Sequence, residues 1–148
     1  MQPSRLFKKR PLTTAVQAVC YSMLLNSPVQ AEPTGGAVVG GSGTINQSGL
    51  ATTINQASQN LAINWQTFNV AANERVQFIQ PNSSAIALNR ILSNNGSTIA
   101  GRIDSNGRVM LVNANGVFFT STAVLNVGSI IASGVAFTQQ FYWQQKAA

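Results

Sequence analysis

Three Asn-Gly steps, at Asn95-Gly96, Asn106-Gly107 and Asn115-Gly116, constrain this chain more than any other feature. Asn-Gly readily adopts the positive φ that tight turns require, and it punctuates β-structure strongly. The steps begin 11 and 9 residues apart (106−95 and 115−106), so two of them span 20 residues. The intervening segments are short and rich in Val, Ile, Leu and Phe. Such a pattern fits either a run of hairpins or a coil that returns about every 20 residues.

Alternation of polar and apolar residues extends over most of residues 44–130 and points to strands. Val76 and Phe78 share a face, as do Ile86 and Leu88. Ile99, Gly101 and Ile103 lie opposite Ala100, Arg102 and Asp104, and Val109 and Leu111 lie opposite Arg108, Met110 and Val112. No 3.6-residue stripe competes, so the class is all-β. Ile63 and Trp65 differ in parity from Phe68 and Val70, and a bulge or bend at Gln66-Thr67 would turn all four inward. Trp65 reads as a core aromatic, with a ligand-stacking platform as the alternative. Ile45, Ile54 and Ile63 recur every nine residues, which a shared strand environment explains.

Residues 1–31 stand apart. Arg5, Lys8, Lys9 and Arg10 precede a mainly apolar run to Leu25, and small side chains at Val29 and Ala31 mark a signal-peptidase cut between Ala31 and Glu32. That apolar run is shorter than the roughly 20 residues that span a bilayer, so no stable membrane span is expected. Removing the leader takes four of nine cations, and the net charge falls from +6 to 5−3 = +2. No basic cluster remains to grip phosphates, and nucleic acid is not an expected partner.

The remaining 148−31 = 117 residues suit one small domain. They lack cysteine, since Cys20 belongs to the leader, and the chain has no histidine, so disulfides, a thiolate or imidazole metal site, and a cofactor are not expected. Gly40-Gly41-Ser42-Gly43 has neither the lysine nor the following helix of a phosphate loop. Three acids remain: Glu32, Glu74 and Asp104. Glu74-Arg75 reads as a solvated charge pair, and Asp104 near Arg102 and Asn106 as a solvated turn. With no paired carboxylates and no base for a serine, the chain is not read as an enzyme; a polysaccharide-active β-helix is the remote alternative.

Short apolar runs, turns longer than two residues and recurrent Asn, Ser and Thr at the corners favour the coil over the hairpins. In a stacked coil like residues lie above one another, and Asn amides can form ladders. The ordered segments INWQTFN, FIQP, ALNRI and NGRVMLVNANGVFF then carry a specific resemblance. Over residues 33–133 the chain resembles the N-terminal two-partner secretion domain of filamentous haemagglutinin-like adhesins.

The resemblance implies a right-handed parallel β-helix with capping strands over residues 32–134, after the signal peptide. It implies a secretion-signal module of an exported adhesin. A partner outer-membrane transporter is expected to recognise it through periplasmic domains, on a route through periplasm and outer membrane to the surface or exterior of a Gram-negative cell. Host-cell or glycan surfaces are the partners expected of a part beyond this chain. The residues singled out for transporter recognition are Asn113, Asn115 and Gly116, with Asn89 and Arg90 as a second exposed or corner element; simple turn formation is the alternative role.

Two departures stand out. Asn113-Ala114-Asn115-Gly116 replaces the family's Asn-Pro-Asn-Gly, which should loosen the turn slightly. The motif-level resemblance stops near Gly134, leaving residues 135–148 as a divergent aromatic tail. The reading is therefore a short or incomplete member, or a truncated remnant without function.

Overall fold

The computed structural model describes residues 31–134; the basic leader, with Cys20, and the aromatic tail lie outside the described residues. Twelve strands follow one another: β1 (Ala37–Gly40), β2 (Gly43–Ser48), β3 (Ala51–Gln56), β4 (Asn60–Trp65), β5 (Arg75–Ile79), β6 (Ile86–Ile91), β7 (Ser97–Ile99), β8 (Arg102–Ser105), β9 (Arg108–Asn113), β10 (Val117–Phe119), β11 (Val124–Asn126) and β12 (Ser129–Ser133). They are distributed over three sheets, ordered β11-β8-β5-β3-β2, β1-β4-β6-β9-β12 and β10-β7. Sequence neighbours such as β3 and β4 lie in different sheets, while each strand pairs in parallel with its counterpart one coil on. This connectivity is a three-sided coil, and it excludes the hairpin arrangement.

One coil takes more residues than the Asn-Gly spacing predicts. Ala51, Arg75, Arg102 and Val124 lie in register, so successive coils take 24, 27 and 22 residues. The third side shortens this to 20 only between Ser97 and Val117. Antiparallel strands cap the N-terminal end: β1 lies on β4, and β2 lies on β3. Among the described residues the β2–β3 turn is the one two-residue hairpin, with Gly49 at φ 59° in its first central position, as a type II′ turn requires.

Period-2 patterning places one face of each strand inside the coil. Leu61, Ala87, Val109 and Ile130 form one column, and Ile63, Asn89 and Leu111 a second. Ile63, Trp65, Phe68 and Val70 all reach the core, as the parity argument predicts, through a bend just after β4, the second of the two devices expected. Trp65 and Phe68 meet edge to face, with centroids 5.4 Å apart and planes at 80°. Each such large side chain contributes about 2 kcal/mol by leaving water. A second small cluster, Ala62, Leu88 and Val112 with Met110 against it, lies on the outward parity of the same sheet.

The glycines of the Asn-Gly steps divide. Only Gly116 has a positive φ, at 95°; Gly96 and Gly107 do not. Gly107 is instead required by crowding, since a Cβ there would sit 2.6 Å from Gln80 Oε1 and 3.0 Å from the Ala85 carbonyl. Corner ladders form as expected, but the buried one is built of glutamine. Gln80 Nε2 donates to Gln56 Oε1 at 3.0 Å and to the carbonyls of Ala85 and Arg108, both at 3.2 Å. Three coils are thereby tied at one edge.

Candidate functional site

Asn113, Ala114, Asn115 and Gly116 form the turn between β9 and β10. The Gly116 amide donates to the Asn113 carbonyl at 2.9 Å, and the Asn115 amide to Asn113 Oδ1 at 2.9 Å. That second bond is an Asx turn, which asparagine supplies from its own side chain. Asn113 is fully buried, and its Nδ2 donates across the stack to the Asn95 carbonyl and to Ser97 Oγ, both at 3.0 Å. Asn115 is exposed and reaches back to the Ser93 carbonyl at 2.9 Å. The turn therefore stacks on the preceding corner, residues 93–96.

Asn89 is neither exposed nor at a corner. It lies inside the coil in mid-strand at 0% exposure, where its Oδ1 accepts the Trp65 indole N–H at 2.9 Å. Its Nδ2 turns toward the carbonyls of Ala87 and Met110. Arg90, of opposite parity, is half-buried on the outer face and has no acidic partner among the described residues. A depression of about 280 Å³ is lined by Arg90, Leu92, Ser93, Ala114 and Asn115. Of the five residues singled out from sequence, then, Arg90 and Asn115 share one surface, while Asn89 and Asn113 stand behind it as supports and Gly116 sets the bend.

Two features of this surface had no sequence signal. Leu92 is 58% exposed beside Arg90. Asn64, the register partner of Arg90, has a buried Oδ1 with no hydrogen-bond donor. Reading Asn64 as an orphan requires knowing its neighbours a coil away.

At the other end, Ala31 and Glu32 are both partly buried. The Ala31 amide donates to Glu74 Oε1 at 3.0 Å, and Glu74 Oε2 accepts the Ala71 amide at 2.8 Å. Glu74 is buried at 4% exposure, so it is not half of a solvated pair with Arg75. Arg75 turns instead to Asp104, with Nε 2.6 Å from Oδ2, and Arg102 binds the same carboxylate. Asp104 is correspondingly 5% exposed rather than a solvated turn. The Arg102 hydrogen bond, helped by Arg75 and Asn126 and opposed by burial, lowers its pKa to about 2, and Asp104 in turn raises that of Arg102.

The chain matches the family model for the TPS secretion domain over residues 29–145, past Gly134 where the motif-level resemblance stops. It is similar to a heme/hemopexin-binding protein of Haemophilus influenzae, 37% identical over 101 residues, which is 68% of this chain and 11% of that protein. A second H. influenzae heme/hemopexin-binding protein is 43% identical over 60 residues, 40% of this chain and 6% of that one. Among solved structures, the HMW1 secretion domain from H. influenzae superposes with a TM-score of 0.73 at 34% identity, covering 76% of this chain and 30% of that one. This chain thus spans only a small part of the curated relatives it matches. The three-sided parallel coil and these matches agree: the chain belongs to the TPS secretion domain family, the secretion module of exported two-partner exoproteins.

Proposed function

We propose that this chain acts by being bound in the periplasm by the periplasmic domains of a partner outer-membrane transporter, through the face carrying Arg90, Leu92 and Asn115. The single observation that carries the reading is a cation with no acidic partner among the described residues, set in a depression beside an exposed leucine. An interface supplies what such groups lack: a carboxylate for Arg90 and apolar cover for Leu92. The exoprotein then passes from periplasm through the outer membrane of a Gram-negative cell. The domain works by binding and not by catalysis. Asp104 supports this, because a carboxylate clamped by two arginines and ionised down to about pH 2 is a poor proton donor near neutrality.

The test mixes the purified chain with the periplasmic part of a transporter encoded beside it. Saturable association is expected, weakened about tenfold or more by Arg90→Glu with an unchanged circular dichroism spectrum. No association at about 50 μM, or an Arg90→Glu variant that binds and is exported like the parent, would reject the face.

A further inference from the structure

The outer face of β5, β8 and β11 lies on a different side of the coil from Arg90 and carries its own constellation. Arg75 and Arg102 are register partners on adjacent strands, which run about 4.8 Å apart. Arg75 Nε donates to Asp104 Oδ2 at 2.6 Å, and Arg102 Nε to Oδ1 and Oδ2 at 2.9 and 2.8 Å. All of these bonds leave from Nε. The terminal amino groups of both guanidiniums remain as donors, on side chains that are 49% and 48% exposed above a carboxylate only 7% exposed. One negative charge faces two positive ones, so the cluster keeps a net positive charge. Glu74, the nearest acid in sequence, is buried and accepts the Ala71 amide.

The two forks front a depression of about 470 Å³, whose walls include Gln77, Asn106, Asn126 and Ile79. Gln77 and Asn126 are the register neighbours of Asp104 on either side. Asn126 Nδ2 donates to Asp104 at 3.3 Å, leaving its carbonyl oxygen as an acceptor. A guanidinium fork matches the two oxygens of a phosphate or carboxylate, and holding it by Nε removes much of the ordering entropy that binding otherwise costs. Flanking amides suit hydroxyl groups.

We propose that Arg75 and Arg102 form an oxyanion-binding site that takes a phosphate or carboxylate group, free or carried on a saccharide, with Asp104 as the positioning residue that aligns the forks. The site is independent of the transporter-binding face.

The experiment follows arginine side-chain resonances of the ¹⁵N-labelled chain during titration with inorganic phosphate, glucose 6-phosphate and glucuronate, at an ionic strength held constant with chloride. Saturable shifts at Arg75 and Arg102, with Arg108 unmoved, are expected. Arg75→Lys and Arg102→Lys keep the charge and the link to Asp104 but lose the fork, and each should weaken binding about tenfold. Tighter binding of the sugar forms, or equal binding of bare phosphate, both support the site and tell which source it takes. Shifts that do not saturate, shifts shared by Arg108, or lysine variants that bind like the parent overturn it.

Discussion

Asn113 satisfies its whole side chain from one position: Oδ1 holds the Asn115 amide within the turn while Nδ2 reaches the previous corner. Geometry of that kind does not depend on proline at the next position, and Ala114 stands exposed where the resemblance leads one to expect proline. Ala114→Pro should therefore raise stability by about 0.5 to 1 kcal/mol, by restricting the unfolded chain, as read by chemical denaturation. Gly116→Ala should lower it by about 1 to 2 kcal/mol, since φ is 95° there and the Phe118 ring lies 3.1 Å from the new Cβ. Asp104 offers a pH prediction whose sign follows from its pKa, lowered to about 2 from 3.8. The folded state prefers the ionised form, so the stabilisation is complete above the unfolded value near 4 and is lost as pH falls through 4 toward 2. Asp104→Asn should flatten that stretch of the stability–pH curve measured by thermal unfolding. Turn chemistry was legible in Asn113 to Gly116 because it is local. The states of Glu74 and Asp104 were not, because local partners, Ala71 and Arg102, are completed by Ala31 and Arg75, which lie 43 and 29 residues away in sequence.

Strands were read correctly where the two faces differed most in character, as in Val76 and Phe78 against Arg75 and Gln77. Leu88 shows the limit. Its parity faces outward, yet it is buried in the second cluster with Ala62 and Val112, so two-sided burial broke the simple alternation. The 20-residue coil is right where it was read, since Asn95-Gly96 and Asn115-Gly116 are stacked corners one coil apart. On the side of β3, β5, β8 and β11, however, the coils take 22 to 27 residues, and Asn106-Gly107 only joins two sides of one coil. The glutamine corner also escaped notice, since Gln56 and Gln80 gain meaning only once a 24-residue repeat places one on the other. Gln80→Ala would leave Gln56 Oε1 short of a donor and should cost about 2 to 3 kcal/mol in a denaturant titration. At the other end of β4, Trp65→Phe would remove the indole N–H from Asn89 Oδ1, and a loss of about 1 to 3 kcal/mol is expected by the same measurement.

The domain as a whole behaves as a nearly one-dimensional stack, in which each coil contacts mainly its neighbours. Burial falls along it. Leu61, Val76 and Ala87 are fully buried, whereas Phe118, late in the third coil, is 60% exposed and Val124, Leu125 and Ile131 of the fourth are 48%, 39% and 51% exposed. Amide hydrogen exchange should follow this gradient, with strongest protection in β4 and β6 and weakest in β11 and β12. Uniform protection would show that the stack opens as a unit. The two ends also differ in kind. At the N-terminal end β1 and β2 run antiparallel to the coil and stop its repeat, while β11 and β12 run parallel to β8 and β9 and continue the coil's own direction. In crystallisation language, the antiparallel cap is a poisoned face of the seed. Turns of this coil are added away from that cap, in the order in which a chain is synthesised, so the early coils give direction to the assembly as well as shape.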